Sequence, residues 1–127
     1  MLELHAIRHV AIIVSDYDRS RDFYVNKLGF QVIREHYRPE RGDWKLDLKL
    51  GDAELEIFAM PGHPRRVTNP EAYGLRHLAF RVTDLEATVA QLNALGIETE
   101  PIRWDEFTGK RMTFFRDPDD LPLELHE

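Results

Sequence analysis

Apolar and polar positions along the chain fall into an order of elements that occurs twice. Residues 5–14 read as a strand rich in Ile and Val. Ser15 and Asp16 supply a turn and a helix N-cap, and residues 17–28 read as an amphipathic helix with Tyr17, Phe23, Tyr24 and Leu28 on its apolar side. Gly29 ends it. Three strands are predicted next. They are 30–38, then 44–50, where Leu46, Leu48 and Leu50 alternate with Lys45, Asp47 and Lys49, then 54–60 after the Gly51-Asp52 turn.

Residues 61–73, with Pro61, Pro64, Pro70 and Gly62, read as a linker. The second half then repeats the order. A strand over 74–82 leads to the cap Thr83-Asp84 and a helix with Leu85, Val89, Leu92 and Leu95 on its buried stripe; Gly96 ends it. Strands follow near 97–103, 111–116 and 121–127, the last two separated by Asp117-Pro118-Asp119-Asp120. The predicted fold is α+β: two βαβββ modules, 5–60 and 74–127, pair into a curved mixed sheet around a metal site, within one domain spanning 1–127.

Composition narrows the function classes. A chain of 127 residues with 43% hydrophobic residues can bury a core unaided. It has no cysteine, which removes disulfides and thiolate chemistry and fits a reducing cytoplasm. A net charge of −6 argues against a nucleic-acid partner. Residues 1–5 show no signal-peptide pattern, and no apolar run approaches the roughly 18–20 residues of a membrane helix. A small-molecule substrate is the expected partner.

The two halves also repeat a pair of chemically active residues. Ile7-Arg8-His9-Val10-Ala11 overlays Leu75-Arg76-His77-Leu78-Ala79, an offset of 77 − 9 = 68. The same offset carries Glu56 onto Glu124 (124 − 56 = 68). Strand alternation puts His9 with Ala11 and Ile13, His77 with Ala79 and Arg81, Glu56 with Phe58, and Glu124 with His126; the opposite faces are apolar throughout. A carboxylate on an inner sheet face is costly unless paired or metal-bound. His9, Glu56, His77 and Glu124 are therefore candidate ligands of one divalent metal. A mixed N/O set without thiolate suits Ni, Zn or Co, with Mn and Fe also possible. Such a site suits isomerisation next to a carbonyl, with a carboxylate, Glu124 or Glu56, as catalytic base.

The segments Arg8-His9-Val10-Ala11-Ile12, Arg21-Asp22-Phe23-Tyr24, Glu54-Leu55-Glu56-Ile57-Phe58, Gly74-Leu75-Arg76-His77-Leu78-Ala79-Phe80 and Leu121-Pro122-Leu123-Glu124-Leu125 resemble the vicinal oxygen chelate superfamily, in particular its glyoxalase I (lactoylglutathione lyase) branch. The resemblance covers nearly the whole chain. It implies the paired-module fold, a divalent metal on His9, Glu56, His77 and Glu124, a proton-transfer role for Glu124, and a homodimer in which modules are sometimes exchanged. The implied activity is a metal-dependent carbon–sulfur lyase or isomerase that converts an α-keto aldehyde thiol hemithioacetal through a metal-bound enediolate. Alternatives are a metal-containing binding protein for resistance or sequestration, or an Fe(II) dioxygenase.

The chain departs from the glyoxalase I pattern where glutathione is held. Ile13 stands where an Arg is usual, and Met60 where an Asn is usual. Arg81, Lys110, Arg111 and Phe115 are the candidate substrate-binding residues in their place. His5, His36 and His63 read as surface groups, and His126 as a neighbour of Glu124.

Overall fold

The computed structural model describes residues 1–127 as two compact units, Met1–Pro64 and Arg65–Glu127, divided inside the predicted linker. Unit one contains β1 (His9–Val14), α1 (Tyr17–Arg21), β2 (Gln31–Arg38), β3 (Asp43–Leu50) and β4 (Ala53–Ala59). Unit two contains β5 (Leu78–Arg81), α2 (Leu85–Ala94), β6 (Arg103–Asp105), β7 (Lys110–Arg116) and β8 (Pro122–His126). Each unit forms a four-stranded mixed sheet, in the orders β1-β4-β3-β2 and β5-β8-β7-β6. In both, the first strand runs parallel to the last and the other pairings are antiparallel. The α+β class and the duplicated βαβββ order are as the pattern predicts.

Alternation decides which face of each sheet is dry. In unit one Ile12, Val14, Leu46, Leu48, Leu55 and Ile57 are buried along with Phe23 and Tyr24 from the helical segment. In unit two the buried set includes Leu85, Leu92, Phe115, Leu123 and Leu125. Each such side chain contributes roughly 1.5–3 kcal/mol when fully buried. Tyr17 of α1 stacks on Trp44 of β3 with ring centroids 4.6 Å apart, joining helix to sheet. Asp16 and Asp84 cap the two helices, accepting from the main-chain N–H groups of Arg19 and Ala87.

Several boundaries differ from the pattern, each for a local reason. β1 starts at His9, not at residue 5, because its parallel partner begins near the Gly51-Asp52 turn: His9 pairs with Glu54 and nothing lies upstream to pair with residues 5–8. β5 starts at Leu78, opposite Leu123. The preceding partner is Pro122, which has no N–H for the ladder. The strand expected near 97–103 lies instead at Arg103–Asp105, after Pro101. Upstream, only Glu100 is tied to β7, donating to Phe114 and accepting from the Thr113 hydroxyl. The first helix widens at Asp22–Lys27 into turns closed five residues apart, such as Leu28 N–H to Phe23 C=O at 2.9 Å. Leu95, expected on the buried stripe of α2, is 43% exposed, because the helix ends at Ala94 and Gly96 turns the chain with φ +79°.

Candidate metal centre

The first residue of β1 and the middle of β4 bring His9 and Glu56 together. His9 Nε2 lies 3.5 Å from Glu56 Oε1. In unit two, His77 precedes β5 and Glu124 lies in the middle of β8, with Nε2 and Oε1 4.0 Å apart. Two donors each about 2.1 Å from one ion lie about 3–3.5 Å apart. Both pairs approach that spacing and could close onto a metal with small side-chain rotations. The residues come together as two pairs; no group of three or more His, Asp or Glu with metal-binding geometry is formed.

Hydrogen bonding separates these glutamates from the other shielded carboxylates. Asp43 accepts two hydrogen bonds from Arg38, both 2.6 Å. Asp47, 1% exposed, accepts from Lys45 and Arg34 at 2.8–3.2 Å. Asp117 accepts from the main-chain N–H groups of Asp119 and Leu121. The side chains of Glu56 and Glu124 are only 13% and 12% exposed, yet their nearest nitrogens stand at 3.5–4.0 Å, too far for hydrogen bonds. A shielded carboxylate without donors is unfavourable, and a cation is the partner that satisfies it. The donor set therefore fits a divalent metal.

His9 carries a further contact. The Arg8 guanidinium donates to its Nδ1 at 2.8 Å. A guanidinium only donates, so the neutral imidazole carries its proton on Nε2. Coordination through Nε2 requires Arg8 to release Nδ1, which its 68% exposed side chain is free to do.

The walls beside the two pairs are chemically different. Asp47 is the cross-strand partner of Glu56, and Lys45 is the partner of Phe58. Burial pushes the Asp47 carboxyl upward, but hydrogen bonds from Lys45 and Arg34 more than offset this and hold it below the usual carboxylate range. Lys45 Nζ also lies 3.7 Å from Glu56, and Arg38 and Lys45 both stand over the Phe58 ring. In unit two the partner of Glu124 is Phe114, which meets the His77 ring edge to face at 5.1 Å and carries the Arg103 guanidinium over its own face.

Of the substrate-binding candidates, Arg81 is exposed and paired with His126, on the ligand-bearing face of β5. Lys110 is exposed at the start of β7, opposite Asp105. Arg111 faces the other way: it donates to Glu127 and to Glu86 of α2, and these hydrogen bonds hold its pKa above the usual arginine value. Phe115 is also on the other face, 3% exposed and opposite Leu123, so it belongs to the core; the aromatic ring beside Glu124 is that of Phe114. The register explains the difference. Asp47 and Glu56 are nine residues apart (56 − 47), Phe114 and Glu124 ten (124 − 114), so the 68-residue offset drops to 67 on β7 and reverses its faces. His126 is held by the Glu127 carbonyl at 2.8 Å and by Asp105 at 3.2 Å.

The family model of the Glyoxalase/Bleomycin resistance protein/Dioxygenase superfamily matches residues 6–125, and the chain belongs to that superfamily. It is 62% identical over 125 residues to the uncharacterized protein YwkD of Bacillus subtilis (strain 168), covering 98% of each chain. It is 51% identical to the uncharacterized protein YaeR of Escherichia coli (strain K12), covering 100% of this chain and 99% of that one. A glyoxalase family protein from Enterococcus faecalis, solved as a crystal structure, superposes with a TM-score of 0.93 at 60% identity, covering 99% of this chain and 100% of that one. More distant relatives include a 2-epi-5-epi-valiolone epimerase of Actinomyces sp, 30% identical over 94% of this chain and 78% of that one, and a probable lactoylglutathione lyase of Vibrio cholerae, 29% identical over 95% and 89%. No helix is long and apolar enough to cross a membrane.

Proposed function

We propose that this chain is a metal-dependent lyase or isomerase of glyoxalase I type, acting on the thiol hemithioacetal of an α-keto aldehyde. His9, Glu56, His77 and Glu124 are the proposed ligands of one divalent ion, with Ni, Zn or Co best suited to two imidazoles and two carboxylates. The observation that carries the reading is the repeated His–Glu pair, 3.5 and 4.0 Å apart, whose carboxylates are shielded and lack hydrogen-bond donors. Bound there, the ion supplies Lewis acidity to a carbonyl or hydroxyl oxygen.

The surroundings of the glutamates support different roles for the two. Glu56 has Arg8 and Lys45 at 3.9 and 3.7 Å and is the anchored ligand. Glu124 has only the His77 imidazole within ion-pair distance and the Phe114 ring across the strand. It is the carboxylate free to take and return the proton on the carbon next to a carbonyl. The Phe114 wall excludes water from that transfer. The activities named for the more distant relatives, an epimerase and a probable lactoylglutathione lyase, support an enzyme of this class.

Ile13 and Met60 are apolar, so the thiol carrier need not be glutathione. The test is metal analysis coupled to turnover of methylglyoxal with glutathione and with other thiols. Turnover that depends on added metal and vanishes in Glu124→Gln is the expected result. A metal-loaded protein inert towards every thiol adduct would dismiss the reading.

A further inference from the structure

Lys45 points from the ligand-bearing face of β3 with its ammonium only partly used. Nζ lies 2.9 and 3.2 Å from the oxygens of Asp47, 3.7 Å from Glu56 Oε2 and 5.6 Å from the centre of the Phe58 ring. The side chain is 26% exposed. An ammonium has three N–H donors. Asp47 takes two at most, and Glu56 is beyond hydrogen-bond distance, so at least one donor is open to a ligand. Asp47 does not need Lys45 alone, because Arg34 Nε donates to it at 2.8 Å.

Charge around Glu56 points the same way. Arg8, Arg34 and Lys45 are linked by contacts of 2.8–3.9 Å to Asp47, Glu54 and Glu56, three cations against three anions. A divalent ion held by Glu56 and Glu124 leaves this group, with Glu124 counted, a surplus of one positive charge, which an anion offsets. In unit two the corresponding inward positions of β7 are Met112 and Phe114, which offer no charge.

We propose that Lys45 receives an anionic group of the substrate, a carboxylate or a phosphate, carried next to the reacting carbons. The inference rests on the metal reading of the His9–Glu56 pair and narrows its substrate class. Because Nζ is 3.7 Å from a proposed ligand oxygen, the group it binds lies beside the reaction centre. Small acids and phosphate esters meet that requirement. A methylglyoxal adduct carries no such group and is turned over without this contact.

The test uses the full-length protein and separates this inference from the metal reading. Nickel affinity is measured first by competition with a chromophoric chelator, for the wild type, Lys45→Met, Lys45→Arg and the double variant Lys45→Met/Asp47→Asn. The double variant avoids leaving the Asp47 charge short of a partner, and circular dichroism checks that each variant folds. Glycolate, inorganic phosphate and the neutral glycolamide are then titrated calorimetrically into the nickel-loaded proteins.

The expected result is that nickel binds every protein, with the charge-balanced double variant and Lys45→Arg within about threefold of the wild type. Glycolate or phosphate binding then weakens at least tenfold in both Lys45→Met proteins, is largely kept in Lys45→Arg, and glycolamide binding does not change. Which anion responds tells carboxylate from phosphate. If nickel binds but neither anion distinguishes the Lys45→Met proteins from the wild type, this inference is overturned and the metal reading stands. If the wild type binds no metal, both fall.

Discussion

Asp47 and Glu56 face each other across β3 and β4, both largely shielded from water, and only Asp47 is hydrogen-bonded. Two carboxylates in one environment thus have opposite states of satisfaction. The satisfied one is a structural group, and its removal is a stability experiment. Asp47→Asn keeps the shape but loses the charge that holds Lys45 and Arg34. It should lower the unfolding free energy by about 1–3 kcal/mol, the cost of stranding charged partners in a part-buried site, as read by urea denaturation.

The unsatisfied glutamates should respond to metal instead. Divalent metal at about a hundredfold over its Kd should stabilise the wild type by about 2.7 kcal/mol, seen as a rise in Tm. In Glu56→Gln or Glu124→Gln that rise should shrink or vanish, while the metal-free proteins are no less stable than the wild type. A full rise in both variants would remove these side chains from the ligand set.

Arg8 competes with metal for His9, since its guanidinium occupies Nδ1 in the arrangement that leaves the proton on Nε2. Arg8→Gln weakens that hydrogen bond and should raise metal affinity several-fold in a chelator competition at neutral pH. Equal or weaker binding would show that Arg8 is not a competitor.

Phe114 and Phe115 are neighbours with different jobs. Phe115→Ala opens a cavity in the core of unit two and should cost about 3–5 kcal/mol of stability. Phe114→Ala loses an edge-to-face contact with His77 and should cost much less, while weakening metal binding or turnover. Urea denaturation and metal titration of the two variants separate the roles.

The Arg38–Asp43 pair gives the protein an acid-sensitive contact. Hydrogen bonds from Arg38 hold the Asp43 carboxyl below its usual range. A carboxyl lowered in the folded state contributes stability above its unfolded pKa, and that contribution fades as pH falls through the folded value. Wild type and Asp43→Asn should therefore differ at pH 7 and converge in the acid region below about pH 4. Unfolding free energies measured from pH 7 to pH 2 provide the check; parallel curves would count against the pair.

Much of the molecule was legible from alternation alone. The Lys45, Asp47 and Lys49 face of β3, the His9 face of β1 and the Glu56 face of β4 follow from period-two reading, because the Gly51-Asp52 turn is short and leaves no freedom in register. The His and Glu offsets survive because His9, Glu56 and Glu124 sit on β1, β4 and β8, and His77 directly precedes β5, the parallel partner of β8. The turn between β7 and β8 is longer and shifts β7 by one residue, so the 68-residue offset points to Phe115 where the structure puts Phe114 opposite Glu124. The widened turns at Asp22–Lys27 leave no trace in the apolar pattern, since Phe23 and Tyr24 are buried in either geometry.

That longer turn bears on how duplicated folds diversify. One added residue between β7 and β8 turns an entire strand over while β8, which carries Glu124, and β5, which follows His77, keep their pairing. A single insertion can thus replace a salt-bridged wall by an aromatic one and leave the metal-binding residues untouched. Point mutation would need several coordinated steps, each burying an unmatched charge on the way. Hairpin length is therefore a cheap evolutionary control over the polarity of the wall beside Glu124, and its natural variation should be the first place to look when members of this family part ways over what they accept.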